Sequence, residues 1–81
     1  MTLLVLDGDL LEDALRDAGE EELVIAVDAS AGRLEEFEAE VRDPRVLYLI
    51  GDAHVLPLPD AFVDSVVGSA DEAELARVLR T

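Results

Sequence analysis

Three aspartates, Asp7, Asp28 and Asp52, each close an apolar run of the chain. Carboxylates placed this way accept hydrogen bonds from the hydroxyl or amino groups of a ligand, or hold a cation. If the runs are parallel strands, all three acids gather along the carboxyl edge of one sheet, where open α/β sheets bind ligands. The structural alternative is that they cap the helices that follow and solvate the strand ends. Asp7-Gly8-Asp9 also has the spacing of a nucleophile and acid pair for phosphoryl transfer. Against that chemistry, the chain has no lysine to hold a phosphate and no later acidic pair in a suitable setting. His54, the only histidine, falls in a loop and is expected to face solvent. There is no cysteine, so neither a disulfide nor a thiolate metal site is available and packing alone must hold the fold.

The elements that would position these acids are legible from periodicity. Leu3 to Leu6 and Leu23 to Val27 are continuous apolar runs, as strands buried on both faces of a parallel sheet would be. Asp9, with Glu12 three residues on, predicts a capped first helix whose apolar stripe is Leu10, Leu11, Ala14, Leu15 and Ala18, stopped at Gly19. Ser30 predicts the cap of a second helix carrying Leu34, Phe37 and Val41 inward, with its glutamates facing water and Asp43-Pro44 ending it. Val46 to Ile50 is a third strand. A loop bearing Pro57 and Pro59 leads to a fourth strand near Val63 to Val67. Asp71 and Glu74 repeat the capping pattern before a last helix with Leu75, Val78 and Leu79 inward, where Arg77 and Arg80 suit the dipole of its carboxyl end. The alternation predicts one domain over residues 1–81, a three-layer α/β sandwich with a four-stranded, mainly parallel, Rossmann-like sheet of order 3-2-1-4.

Eighty-one residues bury only about 60 to 65% of the unfolded chain's surface on folding. Stability should therefore be modest unless the chain associates. Twenty acidic residues against six arginines give a formal net charge of −14. Such a surface repels phosphate backbones and anionic lipid, which argues against nucleic-acid and membrane partners. No apolar run approaches the roughly 20 residues that span a bilayer, and the first residues lack the positive flank of a signal peptide; a cytoplasmic protein is expected. The acidity and missing lysine fit a halophilic origin, and also a GC-rich genome or deliberate design.

The stretch Val24-Ile25-Ala26-Val27-Asp28-Ala29-Ser30 resembles the second-strand motif of class I S-adenosylmethionine-dependent methyltransferases, of the type 11 kind. Gly51-Asp52-Ala53-His54-Val55-Leu56-Pro57-Leu58-Pro59-Asp60 resembles that family's "GDA-x-x-LP-[FL]-[PD]-D" segment. Val63 to Val67 stands where the family has "FD-x-V-V", and Glu74 to Arg80 is similar to its "E-x-x-R-V-L-[KR]" helix. The resemblance implies S-adenosylmethionine as cofactor, with Asp28 and Ala29 at the ribose, Asp52 and Ala53 at the adenine, and Asp7 and Gly8 at the methionine part. Asp7-Gly8-Asp9 is also similar to the "D-x-D" of haloacid-dehalogenase-type phosphatases, though the rest of their constellation is missing.

Departures from the methyltransferase pattern bear on activity. The family's glycine-rich first motif, "VLD-[LV]-G-C-G-T-G", is cut back here to Gly8. Asp9 puts a negative side chain where the cofactor's carboxylate would approach. The given chain reaches Thr81 before "PGG" and the strands that frame a substrate, and it is short between Gly68 and Asp71. Three readings follow. The first is a domain with residual or vestigial S-adenosylmethionine or adenosine binding, not catalytic alone. The second is a non-binding structural module that self-associates through an exposed strand edge, with Val63, Val66 and Val67 making strand four apolar and a homodimer expected. The third is a methyltransferase subunit completed by a partner chain.

Overall fold

A computed structural model of the protein describes residues 1–80. Strand β1 (Thr2–Val5) leads through a 3-10 turn (Gly8–Leu10) into helix α1 (Leu11–Asp17). Strand β2 (Leu23–Asp28), helix α2 (Ala31–Val41) and strand β3 (Val46–Ile50) follow. After a long loop come strand β4 (Ser65–Val67) and helix α3 (Glu72–Val78). The four strands pair in parallel and their order is β3-β2-β1-β4, as the apolar runs and their alternation with helices predict.

Side chains alternate along each strand, and two cores result. Leu3, Val5, Val24 and Ala26 pack with Leu11, Ala14 and Leu15 of α1, with Phe37 and Val41 of α2 added at the margin. On the opposite face, Leu4, Ile25 and Val27 pack with Leu56, Leu58, Val63 and Val78. With α1 and α2 on one side and α3 with the loop on the other, the sheet is the middle of three layers. That double coverage is why β1 and β2 are apolar without a polar alternation. Among the described residues no helix is long and apolar enough to cross a membrane.

Four expectations are corrected. The Asp9–Glu12 cap does not form. Asp7 caps instead, its Oδ1 accepting the Asp9 amide at 3.0 Å, and the turn that results leaves Leu10 37% exposed, outside the apolar stripe. Second, Asp71 caps α3 by accepting the Ala73 amide at 2.9 Å, but Glu74 does not reach back to it, because that carboxylate is held by the loop and by Arg77. Arg77 in turn binds groups beyond its own helix. Third, α2 ends in the left-handed Arg42, one residue before Asp43-Pro44.

Fourth, β4 is an edge strand as expected, but the apolar side chains around it are covered. Val63 is fully buried, because the segment after α3 pairs with it in parallel: its amide donates to Val78 O at 2.9 Å and its carbonyl accepts the Arg80 amide at 2.7 Å. Val66 and Val67 are half-buried against the two cores. The open apolar edge is β3, where Leu47 is 47% and Ile50 62% exposed.

Candidate functional site

The site is built from the loops at the carboxyl ends of β1, β2 and β4. Where β4 ends, Gly68 turns with φ +102, and an added Cβ would stand 3.0 Å from Leu6 Cβ and 3.2 Å from Asp7 N. Only glycine lets the two strand ends approach this closely. The result is an open, mostly polar cleft of about 400 Å³ whose lining includes Leu6, Asp7, Asp9, Asp28, Arg33 and Gly68.

Asp28 is the best-held acid in the cleft. The turn that starts α2 fixes its Oδ1, which accepts the Ser30 amide at 2.8 Å, while Ser30 caps α2 by accepting the Arg33 amide at 3.3 Å. Its Oδ2 has no hydrogen bond, only the Arg33 Nε at 3.6 Å. Arg33 is the one cation lining this cleft, against three carboxylates, and its guanidinium lies over the Phe37 ring at 5.6 Å from the centroid.

The six residues singled out by sequence divide here. Asp7 and Asp28 share the cleft; Gly8, Ala29, Asp52 and Ala53 are not among its lining residues. Gly8 lies beneath Phe37, and a Cβ there would run into the ring. Its bare α-carbon therefore makes room for a side chain of α2. Asp52 sits on the neighbouring loop, next along the sheet because Asp28 pairs in register with Ile50. Its Oδ1 accepts the His54 amide at 2.8 Å, and the Ala53 carbonyl accepts the Asp71 amide at 3.0 Å. Ala29 is exposed at the turn into α2. His54 is exposed, its Nδ1 3.8 Å from Asp71 Oδ2. Among the described residues, no group of three or more His, Cys, Asp or Glu side chains is placed to hold a metal ion, so the acids do not make the cation site their sequence positions allow.

The loop from Gly51 to Asp60 is fixed by two devices. Gly51 carries the Pro57 ring, which an added Cβ would meet at 2.6 Å. Farther along, Glu74 Oε1 accepts the Leu56 amide at 2.7 Å, and Arg77 donates to Leu58 O at 2.7 Å and Leu56 O at 3.0 Å. The hydrogen bonds from Arg77 and from the Leu56 amide hold the Glu74 carboxyl below the usual range, and the same carboxylate with Asp60 raises the Arg77 guanidinium. Glycine, LP and E-x-x-R thus form one clasp that holds the Asp52 loop.

Residues 7–70, which include the charged residues of the cleft and the Asp52 loop, match the model of a family described as methyltransferase domain. The chain belongs to that family. Over 98% of its length the methyltransferase domain also superposes, with a TM-score of 0.79 and 26% identity, on a methyltransferase solved in complex with the Trm112 methyltransferase activator of Haloferax volcanii. It spans 40% of that protein's length. No curated protein matches the chain.

Of the residues that matter to this domain, Arg33 and the pairing of Glu74 with Arg77 escape the sequence reading, which gives Glu74 to a cap and Arg77 to the helix dipole. The pair had a signal in its three-residue spacing on a helix. Arg33 had none, because its partner lies five residues earlier across a helix start.

Proposed function

We propose that the domain binds the adenosine part of S-adenosylmethionine and is not catalytic alone. The observation that carries this is Asp28, whose Oδ1 is fixed by the Ser30 amide while Oδ2 stays free of hydrogen bonds at the wall of the cleft. A carboxylate so held is suited to accept two ribose hydroxyls. Asp52 and Ala53, on a loop pinned by Arg77, would face the adenine. The methionine part fits less well: Phe37 fills the space above Gly8, and Asp9 opposes a ligand carboxylate.

When bound, S-adenosylmethionine supplies an electrophilic methyl group. Methyl transfer also needs an acceptor held in line with it, which is largely a matter of positioning, and the cleft is open and offers no acceptor pocket. Residues 1–81 are in this reading one cofactor-side domain. Its cysteine-free composition is consistent with a cytoplasmic setting, and its charge of −14 with a salt-rich one. Calorimetry with S-adenosylmethionine and S-adenosylhomocysteine tests the proposal: binding that is lost in Asp28→Ala and weakened in Asp52→Ala supports it. Absence of heat at millimolar ligand both for the wild-type chain and for a variant without the Arg33 charge rejects it.

A second reading, completion by a partner chain, is favoured by the similar methyltransferase having been solved with an activator protein. The surface this chain offers is the β3 edge. The Arg45 carbonyl and Gly51 amide both turn to β2, so by alternation the backbone groups of Tyr48 and Ile50 turn outward. Added strands dock on such edges. A homodimer formed across the same edge would have to bring together two chains of charge −14, so it requires high salt. Light scattering at low and molar salt separates the two, since only self-association would raise the mass of the isolated chain.

A further inference from the structure

Four residues form a stack that leads from the turn after β1 to Oδ2 of Asp28. Gly8 seats the Phe37 ring, Phe37 carries the Arg33 guanidinium on its face, and Arg33 Nε lies 3.6 Å from Asp28 Oδ2. Both oxygens of Asp28 therefore have a partner within the chain, one an amide and the other a cation. The two partners differ in kind. The Ser30 amide belongs to the turn that starts α2 and cannot leave without unwinding it. The Arg33 side chain is 54% exposed, whereas that of Asp28 is only 17% exposed.

We propose that Arg33 is a latch on the nucleoside site: resting on Phe37, it occupies the ribose-side oxygen of Asp28 and must swing away before a ligand's hydroxyls can take its place. The inference rests on the adenosine-binding reading above and concerns how that site is regulated. The geometry supports a latch for three reasons. The pair is ionic without a hydrogen bond, so it is held by charge and breaks without leaving a buried donor. The residue is the one cation in the cleft, so no other side chain there competes for Asp28. The ring beneath it restricts the guanidinium and lowers the entropy lost in holding the closed position.

An exposed ion pair contributes roughly 0.2 to 1 kcal/mol, which is about 1.4- to 5-fold in a binding constant. Removing the latch should thus tighten a neutral nucleoside by about threefold. A neutral probe matters because S-adenosylmethionine carries net positive charge and would gain from the loss of any nearby arginine. The experiment is calorimetric titration of the full chain with 5′-methylthioadenosine, using the wild type, Arg33→Gln, Arg33→Met, Asp28→Asn and the Arg33→Gln/Asp28→Asn double variant. Expected results are tighter binding in both Arg33 variants, a gain that shrinks in 1 M salt as the wild-type pair is screened, and no gain from Arg33→Gln once Asp28 is Asn. Binding by an Arg33 variant with none by the wild type is the same result in stronger form. Equal or weaker binding in both Arg33 variants, with Asp28→Asn still impaired, overturns the latch and leaves the adenosine site standing. Binding by none of the five chains overturns both.

Discussion

Arg77 grips Glu74 with two nitrogens, Nε to Oε2 at 2.9 Å and Nη2 to Oε1 at 3.0 Å, and spends its remaining donors on the Leu56 and Leu58 carbonyls and on Asp60. A short helix thereby holds a loop that has almost no secondary structure of its own. The grip is bidentate and half-shielded, which distinguishes it from a scattered surface pair. It also gives a physical reason for the company kept by GDA-x-x-LP and E-x-x-R in one sequence: each half is the other's partner.

Arg77→Ala should release this loop without dissolving the sheet. The Leu56 amide loses the support of an oriented Glu74, and two loop carbonyls lose their donor. Hydrogen exchange is expected to speed up by about tenfold or more across residues 53–60 while the β2 amides change little, as for a local opening. Uniform acceleration over the whole chain would contradict a local clasp. Glu74→Gln, which keeps the shape but removes the charge, should show a smaller change in the same segment.

Gly8 and Phe37 should behave as one unit in stability measurements. An added methyl at residue 8 collides with the ring, so Gly8→Ala is expected to cost about 1–3 kcal/mol, the range for overpacking. Phe37→Leu removes part of the aromatic packing but frees that space. Urea unfolding of both single variants and the double variant is expected to give a double variant more stable than the sum of the parts by at least about 0.5 kcal/mol. Strict additivity would mean that the ring does not rest on Gly8.

The same pair explains part of what the sequence left illegible. Apolar runs and capping residues sufficed for the strands, their order and the three layers, because a strand buried on both faces has no other composition open to it. Gly8 reads as the remnant of a cofactor loop, and a glycine that clears space for a ligand is identical in sequence to one that clears space for a phenylalanine, as Gly8 does for Phe37. Asp7, Asp28 and Asp52 were all visible as strand-end acids. That only two of them share a cleft depends on Gly68, whose left-handed turn draws β4 against the end of β1. Val63 was legible as apolar but not as covered, because its cover comes from a backbone pairing with Leu79 that no periodicity announces.

Asp43 supplies a pH dependence with a defined sign. Hydrogen bonds from the Arg45 guanidinium, and then from the Arg45 amide, lower its carboxyl to about 2. The same arginine holds the carbonyls of Leu15, Ala18 and Gly19 at the end of α1. A group whose pKa is depressed in the folded state contributes stability above its unfolded value, near 3.8, and loses it as pH falls through the folded value. Asp43→Asn should therefore melt below the wild type at pH 6 and converge with it between about pH 4 and 2. A difference in Tm that stays constant across that window would show that the carboxylate acts by shape alone.

Net charge sets the last expectation. Twenty acids against six arginines leave −14 on 81 residues, and the glutamates of α2 at 35, 36, 38 and 40 are all exposed. Repulsion among them acts over the Debye length, about 10 Å at 0.1 M salt and 3 Å at 1 M. The Tm should accordingly rise with potassium chloride, most steeply below about 1 M, where screening is still incomplete. Salting-out of apolar surface also raises Tm but has no reason to stop there. A variant with Glu35, Glu36 and Glu38 replaced by Gln separates the two causes: it should start from a higher Tm in low salt and climb less, joining the wild type near 1 M. Parallel curves for the two chains would assign the salt response to apolar burial and remove the charge argument for a salt-rich setting.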